Sequence, residues 1–410
     1  MTTERFHPVT DETNKALVAE LGKLVLLKEK ELNADITQIS DWAEVSALVK
    51  EGVAGDVFPV GTILHTPWTD VRDGNDTEWD FLWRVVHHGM ATLKDGEVVP
   101  AMYLQAKHCL PFATQFDERE AFYAAPAGGL AAGTYYINSG AGYQMMEPNT
   151  NYQFTLTQAL PEGGQLIFKQ STYSTAPTTV SVYASGSVTT ATEECAVTVG
   201  NAGTLLGTLA ANPTATVNNI HRHVLGNNNF AKSALVQFLN SADAAGAWWQ
   251  PKTPFDRPCT YAANTAGFLS GFEDDFVEHL AEALVKTAIP YCDGGTAQGT
   301  EATELFVKMF LPSAEQLDWV PTWYGIPYGL EGEVWEYWRR VYGSTPAAPG
   351  NTHTEFVMSA MGSETTMRYV FERSAYRSNG NYVANCSASG NVGNNNAYSG
   401  NFAAPACCII

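Results

Sequence analysis

Apolar and polar positions change their period several times along this chain, and each change predicts a different kind of element. In residues 11–31 the apolar side chains recur every three to four positions, which predicts an amphipathic helix. A second, shorter helix is predicted for residues 39–50. Since a one-sided apolar stripe is stable only when it is covered, the helical segment 1–55 either packs on the rest of the chain or makes a subunit or anchoring contact.

From residue 56 onward the pattern is that of β-strands, and the sequence Lys94-Asp95-Gly96-Glu97 predicts a hairpin turn. Residues 130–215 form a different block, in which short runs alternate apolar and polar residues between Gly, Pro, Asn and Ser. This block shows no helical period. Such short, regular strands predict a small antiparallel sandwich or jelly roll.

Helical period returns at residues 230–240 and 273–287, where two further helices are predicted. A tract rich in Trp and Tyr follows between residues 319 and 338. We interpret its rings as core, because aromatic side chains fill volume in a small domain; stacking on a ligand is the alternative. The apolar stretch 403–410 predicts a buried last strand.

Residues 374–401 fit none of these patterns. They hold eight Asn, five Ser, four Gly and three Tyr in 28 residues, with Arg377 as the single charge. This composition alone is typical of disorder, but Val383, Val392 and Ala397 interrupt it and the apolar end closes it. We therefore predict loops and short strands on a rigid base. The residue types are those of a binding surface, in which Tyr gives contact area and Ser, Gly and Asn give adaptable hydrogen bonds.

Composition and charge narrow the classes of partner. The chain has 410 residues, enough for two or three domains with real cores. A formal charge of -20 disfavours nucleic acid and anionic lipid as partners. The sequence lacks an apolar run of 18 residues and its start lacks the regions of a signal peptide. We therefore predict no membrane insertion, and we expect synthesis and folding in a cytoplasm.

The reactive residue types do not form a recognisable catalytic or metal site. The pairs His87-His88 and His221-x-His223 lack a third ligand at a metal-binding spacing. The aspartates of residues 70–80 lack the spacing of a calcium loop and are interpreted as a solvated acidic turn. Seven scattered cysteines are interpreted as reduced, mostly buried thiols, and Ser313 lacks a nucleophile elbow. We expect no enzyme activity and no cofactor.

Short motifs in the second half of the chain come in a fixed order. They are Ser233-Ala234-Leu235, Phe238-Leu239-Asn240, Gly267-Phe268-Leu269, Phe310-Leu311-Pro312-Ser313, Arg373-Ser374-Ala375, Ser389-Gly390-Asn391-Val392 and the end Ala404-Pro405-Ala406-Cys407-Cys408-Ile409. In this order they resemble the C-type-lectin-like domains that carry the variable region of diversity-generating retroelements, which are common in phages and gut bacteria. In that family an error-prone copying step changes adenines, so that Asn codons scatter to many residue types while framework codons stay fixed.

The resemblance implies an α+β fold, a C-type-lectin-like domain with an inserted antiparallel β-sandwich and an N-terminal helical segment. The expected boundaries are 1–55 for a helical anchoring or oligomerisation segment, 56–122 for the first part of the lectin-like domain, 123–215 for the inserted sandwich and 216–410 for the remainder. Variation is expected within residues 374–401. The insertion follows from the change in strand pattern, since insertions are tolerated in surface loops.

The implied function is that of a receptor-binding protein or fibre on the surface of a phage virion. The implied partners are a cell-surface protein or glycan, other virion proteins and further copies of the chain in a homo-oligomer, for which a trimer is one arrangement. The first alternative is a structural virion component, such as a head fibre or tail adaptor, whose Asn-rich end packs against a neighbour. The second is a polysaccharide-degrading enzyme.

The expected ligand contacts all lie in the polar run. Three Tyr are the predicted anchors, and the polar residues supply hydrogen bonds to sugar hydroxyls or peptide groups; a solvated loop that binds nothing is the alternative. The predicted ligand-binding residues are Tyr376, Arg377, Ser378, Asn379, Asn381, Tyr382, Asn385, Asn391, Asn394, Asn395, Asn396 and Tyr398.

Sequencing the 3′ end of this gene and the DNA downstream of it in many isolates of one lineage tests the resemblance. We expect substitutions confined to codons 374–401, at positions where the template carries adenine, with a reverse transcriptase gene nearby. A uniform 3′ end across isolates would contradict the diversified surface and favour the structural component.

Overall fold

The computed structural model describes residues 37–39, 41–118, 121–124, 128–138, 151–156, 158–162, 165–168, 181–183, 197–199, 226–252, 258–290, 295, 299–343, 345–377 and 381–410. A helix content of 19% and a strand content of 34% make this an α+β protein, as the sequence predicts. The predicted helix at residues 11–31 lies outside the described residues.

The α-helices of the described residues are short. They are α1 (Trp42–Lys50), α2 (Ala54–Val57), α3 (Ala234–Leu239), α4 (Asp274–Glu278) and α5 (Glu336–Tyr342). Turns of 3-10 helix occupy Phe230–Lys232, Thr260–Ala263, Phe268–Gly271, Pro321–Tyr324 and Thr354–Phe356. The predicted helices at 39–50 and 230–240 are confirmed by α1 and α3. Asp41 caps the start of helix α1, since its carboxylate accepts the backbone N–H of Ala43 at 2.8 Å. Trp42 of α1 packs on Phe276 of α4 with ring centroids 4.7 Å apart.

Strands are more numerous than helices among the described residues. In chain order they are β1 (Thr37–Gln38), β2 (Ile63–Thr69), β3 (Glu78–Thr92), β4 (Val98–Ala106), β5 (Ala121–Ala124), β6 (Gly133–Asn138), β7 (Asn151–Leu156), β8 (Gln165–Phe168), β9 (Ser181–Tyr183), β10 (Val197–Val199), β11 (Ala283–Ala288), β12 (Ala302–Val307), β13 (Met309–Phe310), β14 (Met358–Ala360), β15 (Ser363–Arg368), β16 (Val370–Ala375), β17 (Tyr382–Cys386), β18 (Val392–Asn396), β19 (Phe402–Ala403) and β20 (Ala406–Ile409).

The largest sheet has six strands in the order β1-β2-β3-β4-β20-β13. The last strand of the chain, β20, runs antiparallel to β4, with Ala406 opposite Gln105 and Ile409 opposite Met102. All side chains of β20 are buried, which confirms the predicted buried last strand. Strands from both sides of residues 123–215 therefore share one sheet.

The long β3–β4 hairpin turns where the sequence predicts. The backbone N–H of Leu93 donates to the carbonyl of Glu97 at 2.8 Å. Gly96 has a φ of +89°, in the left-handed region that favours glycine. The strands on either side of this turn confirm the predicted β structure of the first part of the chain.

Strands β5 to β10 form two further antiparallel sheets, with the orders β10-β8-β5 and β7-β6-β9. Strands β6 to β10 fall in the block that the sequence predicts to be short antiparallel strands, and its strand content is confirmed to that extent. The inserted sandwich as a separate domain stays a prediction.

The predicted helix at residues 273–287 is wrong in its second half. The helix α4 ends at Glu278, and β11 follows, pairing antiparallel with β12 along its whole length. Burial alternates along part of β11, with Val285 inside and Lys286 exposed. Because an apolar run this short fits a helical and a strand period equally, its non-local pairing with β12 decides the outcome.

Aromatic rings fill much of the core. Phe81 and Trp83 lie side by side on β3 with ring centroids 4.5 Å apart, and Phe272 packs on Phe81 at 5.4 Å. The aromatic tract at 319–338 contains both buried and exposed rings. Trp319, Trp335 and Trp338 are each 1% exposed, as predicted for core. Trp323 and Tyr328 are 40% and 58% exposed. The prediction of core is therefore wrong for the last two residues.

The described cysteines are free and buried, as predicted; they are Cys109, Cys259, Cys386, Cys407 and Cys408. Burial raises the pKa of Cys109, Cys386 and Cys408 to about 12, so these thiols stay protonated at neutral pH. They are packing residues in this structure.

The acidic turn at residues 70–80 is less solvated than predicted. Asp70 is 4% exposed, and its carboxylate accepts from Nε of Arg72 and Nδ2 of Asn75 at 3.0 Å each. Asp70 therefore stabilises the turn from inside. Within the described part of the chain, His, Cys, Asp and Glu side chains nowhere gather in threes as metal ligands would, and His221 and His223 lie outside that part.

The described residues contain no helix that could span a membrane. Every helix found there is too short or too polar to cross a bilayer.

Two adjacent charged residues of β16 are buried. Arg373 donates to the carbonyls of Lys286 at 3.1 Å and Leu311 at 2.8 Å, and also to Gln316 and to the carbonyl of Glu331. Glu372 is 3% exposed, and among the described residues its Oε2 has no hydrogen-bond partner. Burial raises the pKa of Glu372 well above its ordinary value of 4.5, and the neighbouring Arg373 lowers it by less.

Replacing Phe371 by Ala tests the core of this region. Phe371 is fully buried and meets Phe116 edge to face at 5.7 Å, so its truncation should lower the free energy of unfolding by about 3–5 kcal/mol. Tyr369→Ala is the control, because Tyr369 is 50% exposed and its loss should change stability by about 0.5 kcal/mol or less. Denaturant titration of both variants gives the comparison, and equal losses would contradict the assignment of Phe371 to the core.

Glu372→Gln tests the buried carboxyl. Because the pKa of Glu372 is raised in the folded state, the unfolded chain gives up this proton first, and stability falls as pH rises above 4.5 until the folded-state pKa is reached. In the parent, this decrease in the free energy of unfolding amounts to at most about 1.4 kcal/mol per pH unit. The Gln variant should not show the decrease. Urea unfolding at several pH values measures it. Because an amide does not titrate, its own effect on the free energy of unfolding is the same at every pH. If parent and variant show the same dependence of stability on pH, the prediction is contradicted.

Candidate functional site

The polar run at residues 374–401 contributes strands to a four-stranded sheet. Strands β16 to β19 are arranged in the order β18-β17-β16-β19, with β17 antiparallel to both neighbours and β19 parallel to β16. Asn, Ser and Gly have low strand propensity, so strand pairing and the burial of framework side chains stabilise this sheet. Val383, Ala384 and Val392 are each 0% exposed.

A tight turn joins β17 to β18 and fixes their register. The hydroxyl of Ser387 accepts the backbone N–H groups of Ser389 at 3.3 Å and Asn391 at 2.9 Å. Gly390 has a φ of +86°, and a Cβ at this position would lie 2.5 Å from the carbonyl oxygen of His353. Only glycine fits there.

One face of this sheet gathers aromatic and amide side chains. Tyr382 lies opposite Asn396, and Ala384 lies opposite Asn394. Since residues directly opposite each other, and residues two apart in a strand, share a face, Tyr382, Asn394 and Asn396 lie together. The ring of Tyr376 is 6.4 Å from that of Tyr382, and the ring of Trp323 is 5.2 Å from that of Tyr376. We call these five residues the aromatic-amide face; all are at least partly exposed.

Much of the hydrogen-bonding capacity of this face is unused. Within the described part of the chain, the Asn394 amide, the hydroxyls of Tyr376 and Tyr382 and the indole N–H of Trp323 have no hydrogen-bond partner. Asn396 differs, because its Oδ1 accepts from Nδ2 of Asn381. Amide and hydroxyl groups both donate and accept, so the face offers both functions to a ligand.

Buried groups hold the face from behind. Tyr324 is fully buried, and its hydroxyl donates to the carbonyl of Gly393 at 2.8 Å. Nδ2 of Asn228 donates to the carbonyl of Tyr382 at 2.8 Å, and the backbone N–H of Arg377 donates to the carbonyl of Tyr324 at 2.9 Å. Two segments distant in sequence from the polar run, at Asn228 and Tyr324, therefore fix the face in place, and a ligand would bind it with little loss of conformational entropy.

The single charge of the polar run lies in the interior. Arg377 is 0% exposed; its guanidinium donates to the carboxylate of Glu301 at 2.5 Å and to the carbonyl of Gly299. The structure therefore places Arg377 in the interior and not among the exposed residues of the polar run. Its ion pair ties residues 299–301 to the end of β16, and the aromatic-amide face carries no charged side chain.

Two further predicted contact residues are buried. Asn381 is 1% exposed and Asn385 is 4% exposed. Asn385 is directly opposite Gly393, so strand alternation turns its side chain away from the face that holds Tyr382. The structure therefore places both residues in the buried framework and not on the aromatic-amide face.

The remaining predicted residues lie at the edge of the face or outside the described residues. Asn391 is exposed in the β17–β18 turn, and Tyr398 is partly exposed. Asn395 is partly exposed, with its Nδ2 donating to Oδ1 of Asn401 at 3.3 Å. Ser378 and Asn379 are not among the described residues.

Sequence reasoning missed Trp323, which it placed in the core. A signal was present, because Trp323 lies between Pro321 and Gly325, and Gly325 adopts a φ of +75°. Prolines and glycines at such spacing mark surface turns. The supporting roles of Asn228 and Glu301 left no local signal, since each depends on a contact with a distant segment.

Comparison with known proteins identifies a family for the second half of the chain. A family model described as a domain of unknown function, DUF6273, matches residues 201–410, which contain the whole aromatic-amide face. Neither the curated proteins nor the solved structures include a match to the chain. The match covers half of the sequence, and the chain belongs to the DUF6273 family.

Proposed function

We propose that this protein binds a molecule on a cell surface and that it presents residues 374–401 as a diversified binding surface on a C-type-lectin-like scaffold. The aromatic-amide face carries this proposal. Residues 374–401 have a composition typical of disorder, yet Tyr382, Asn394 and Asn396 lie on paired strands with buried supports, and the hydroxyls of Tyr376 and Tyr382 and the amide of Asn394 have no partner among the described residues. A loop that binds nothing is not expected to be ordered in this way.

The topology supports the lectin-like part of the proposal at the level of analogy. The last strand, β20, is paired with β4 from the first part of the chain, so the two ends of the domain close one sheet. Helix α1 contacts β4 and β20 of that sheet, α3 contacts β13, and a second, smaller sheet contains strands of the polar run. A compact mixed sheet with two helices is the arrangement that the sequence resemblance implies.

Diversification fits the division between framework and surface in this sheet. Val383, Val392 and Ala397 are fully buried and keep the strands in place. Asn394 and Asn396 are partly exposed, and substitutions at such positions usually change stability by about 0.5 kcal/mol or less. Adenine-directed copying of the Asn394 and Asn396 codons would therefore change the face while the buried Val and Ala residues stay in place.

The proposed setting is the surface of a phage virion, where the chain acts as a receptor-binding protein or fibre in a homo-oligomer with other virion proteins. Many copies on one particle convert weak individual contacts into strong attachment. The net charge of -20 on each copy favours solubility and repulsion between free particles.

The competing function is a structural virion component whose exposed residues pack on a neighbouring subunit. Met367 and Tyr369 favour it, because they are 40% and 50% exposed just before β16 and large exposed apolar side chains mark contact surfaces. Tyr376 directly follows β16, so these residues lie at the opposite end of that strand. The two functions therefore use different surfaces.

The double variant Tyr382→Ala with Asn394→Ala tests the proposed function. Binding of labelled full-length protein to a panel of bacterial strains is measured for parent and variant. On strains that the parent binds, we expect apparent affinity to fall by about tenfold or more, because truncated contact anchors typically cost over 1 kcal/mol each. The melting temperature should change little.

Tyr369→Ala is the matched control, since it removes an exposed ring away from the aromatic-amide face. Loss of binding in the control alone, or an absence of binding to every strain tested, would contradict the proposed function. Failure of particle assembly in the double variant would favour the structural component.

A further inference from the structure

The aromatic-amide face is electrically neutral in a strongly acidic protein. Residues 374–401 contain one charged side chain, Arg377, and the ion pair with Glu301 holds it in the interior. The remaining groups on the face are rings, amides and hydroxyls. A charged ligand would gain no counter-charge there and would lose part of its hydration, so the face favours an uncharged ligand.

The free polar groups suit a ligand rich in hydroxyls. A hydroxyl donates one hydrogen bond and accepts others, and the same is true of the Tyr376 and Tyr382 hydroxyls, while the Asn394 amide does both through separate atoms. These groups have no partner within the described residues, so binding does not require breaking protein hydrogen bonds. Neighbouring hydroxyls of a sugar ring match such paired donors and acceptors.

Trp323 adds a flat apolar surface beside these groups. Its ring meets Tyr324 edge to face at 4.8 Å and Tyr376 at 5.2 Å, with interplanar angles of 86° and 80°. Both neighbours fix the orientation of the indole, which remains 40% exposed. The C–H groups on one side of a sugar ring stack on an aromatic surface of this kind.

The aromatic-amide face exposes too little apolar surface for a protein ligand. Stable protein interfaces bury about 800 Å² on each partner around an apolar centre. In the described part of the chain, Trp323, at 40% exposure, is the only large hydrophobic side chain of this face that is well exposed. One ring among amides and hydroxyls is enough for a sugar unit and falls short of such a centre.

We infer that the ligand is a neutral glycan and that Trp323 is its fixed stacking anchor, while the Asn positions of β18 select among glycans by hydrogen bonding. The inference rests on the proposed function and adds the chemical class of the ligand. Trp323 lies outside residues 374–401, so diversification of that run leaves the anchor in place. Specificity would then change without loss of the basic stacking contact.

The test uses intact bacterial cells of a strain that the full-length parent protein binds. Cells are treated with periodate, which oxidises the vicinal diols of glycans, or with a protease, and binding is measured again. We expect binding to be lost after periodate and kept after protease. Binding should also be unchanged between low and high salt, because no charged pair forms across the interface.

Trp323→Ala should weaken binding about tenfold or more, and Trp323→Phe should restore part of it by keeping a ring. Tyr328→Ala is the matched control, because Tyr328 is an exposed aromatic residue of the following loop, outside the aromatic-amide face. Thermal melting of each variant confirms that the fold is intact.

Binding that survives periodate and is lost after protease would overturn the glycan class and leave the proposed function standing. Steep salt dependence would overturn the neutrality of the ligand. Equal binding by Trp323→Ala and Tyr328→Ala would overturn the anchor. If the parent binds none of the strains, both the proposed function and this inference fail.

Discussion

The backbone pairing between the chain end and residues 106–116 is the constraint on which the polar run depends. The carbonyls of Pro405, Ala403 and Ala397 accept the N–H groups of Ala106 at 2.8 Å, Leu110 at 2.9 Å and Phe116 at 2.9 Å. The pairing of β20 with β4 continues this contact. The closure entropy of a long loop rises only slowly with its length, so a chain end can be held by such distant partners.

The other end of the run is held just as firmly. Arg373 is fully buried and donates to carbonyls of three segments, at Lys286, Leu311 and Glu331. Ser374 accepts the backbone N–H of Ala314 at 2.9 Å. An Asn-rich sequence that has too little apolar surface to fold alone is therefore closed between two buried anchors, and most of the stability of the face comes from residues outside it.

The sequence allowed prediction of elements whose signal is local. The helix α1, the turn at Gly96, the strands β6 to β10 and the buried end of the chain follow from period, glycine placement and apolar runs. The predicted helix over 273–287 fails because residues 283–288 are paired with β12, and local periodicity does not contain that partner. Sheet order, such as β20 between β4 and β13, is a non-local property of the same kind.

The candidate site was predictable as a segment and not residue by residue. Tyr382 and Asn385 look alike in the sequence as polar members of one run, yet they point to opposite faces because the register of β17 on β18 is set by the Ser387 and Gly390 turn. Arg377 is expected at the surface from its charge. The structure buries it because Glu301, far away in sequence, supplies the counter-charge.

Trp323 contacts one residue inside the proposed variable run 374–401 and one residue outside it. Its ring contacts Tyr376, inside the polar run, and Tyr324, outside it, and these two rings also meet each other at 6.3 Å. Tyr324 is fully buried, and its hydroxyl is bound to the carbonyl of Gly393, a backbone group that a side-chain substitution leaves in place. Exchange of Tyr376 would therefore remove one neighbour of the indole while the buried neighbour Tyr324 remained. A surface built in this way can change its hydrogen-bonding groups while keeping the geometry of its apolar contact.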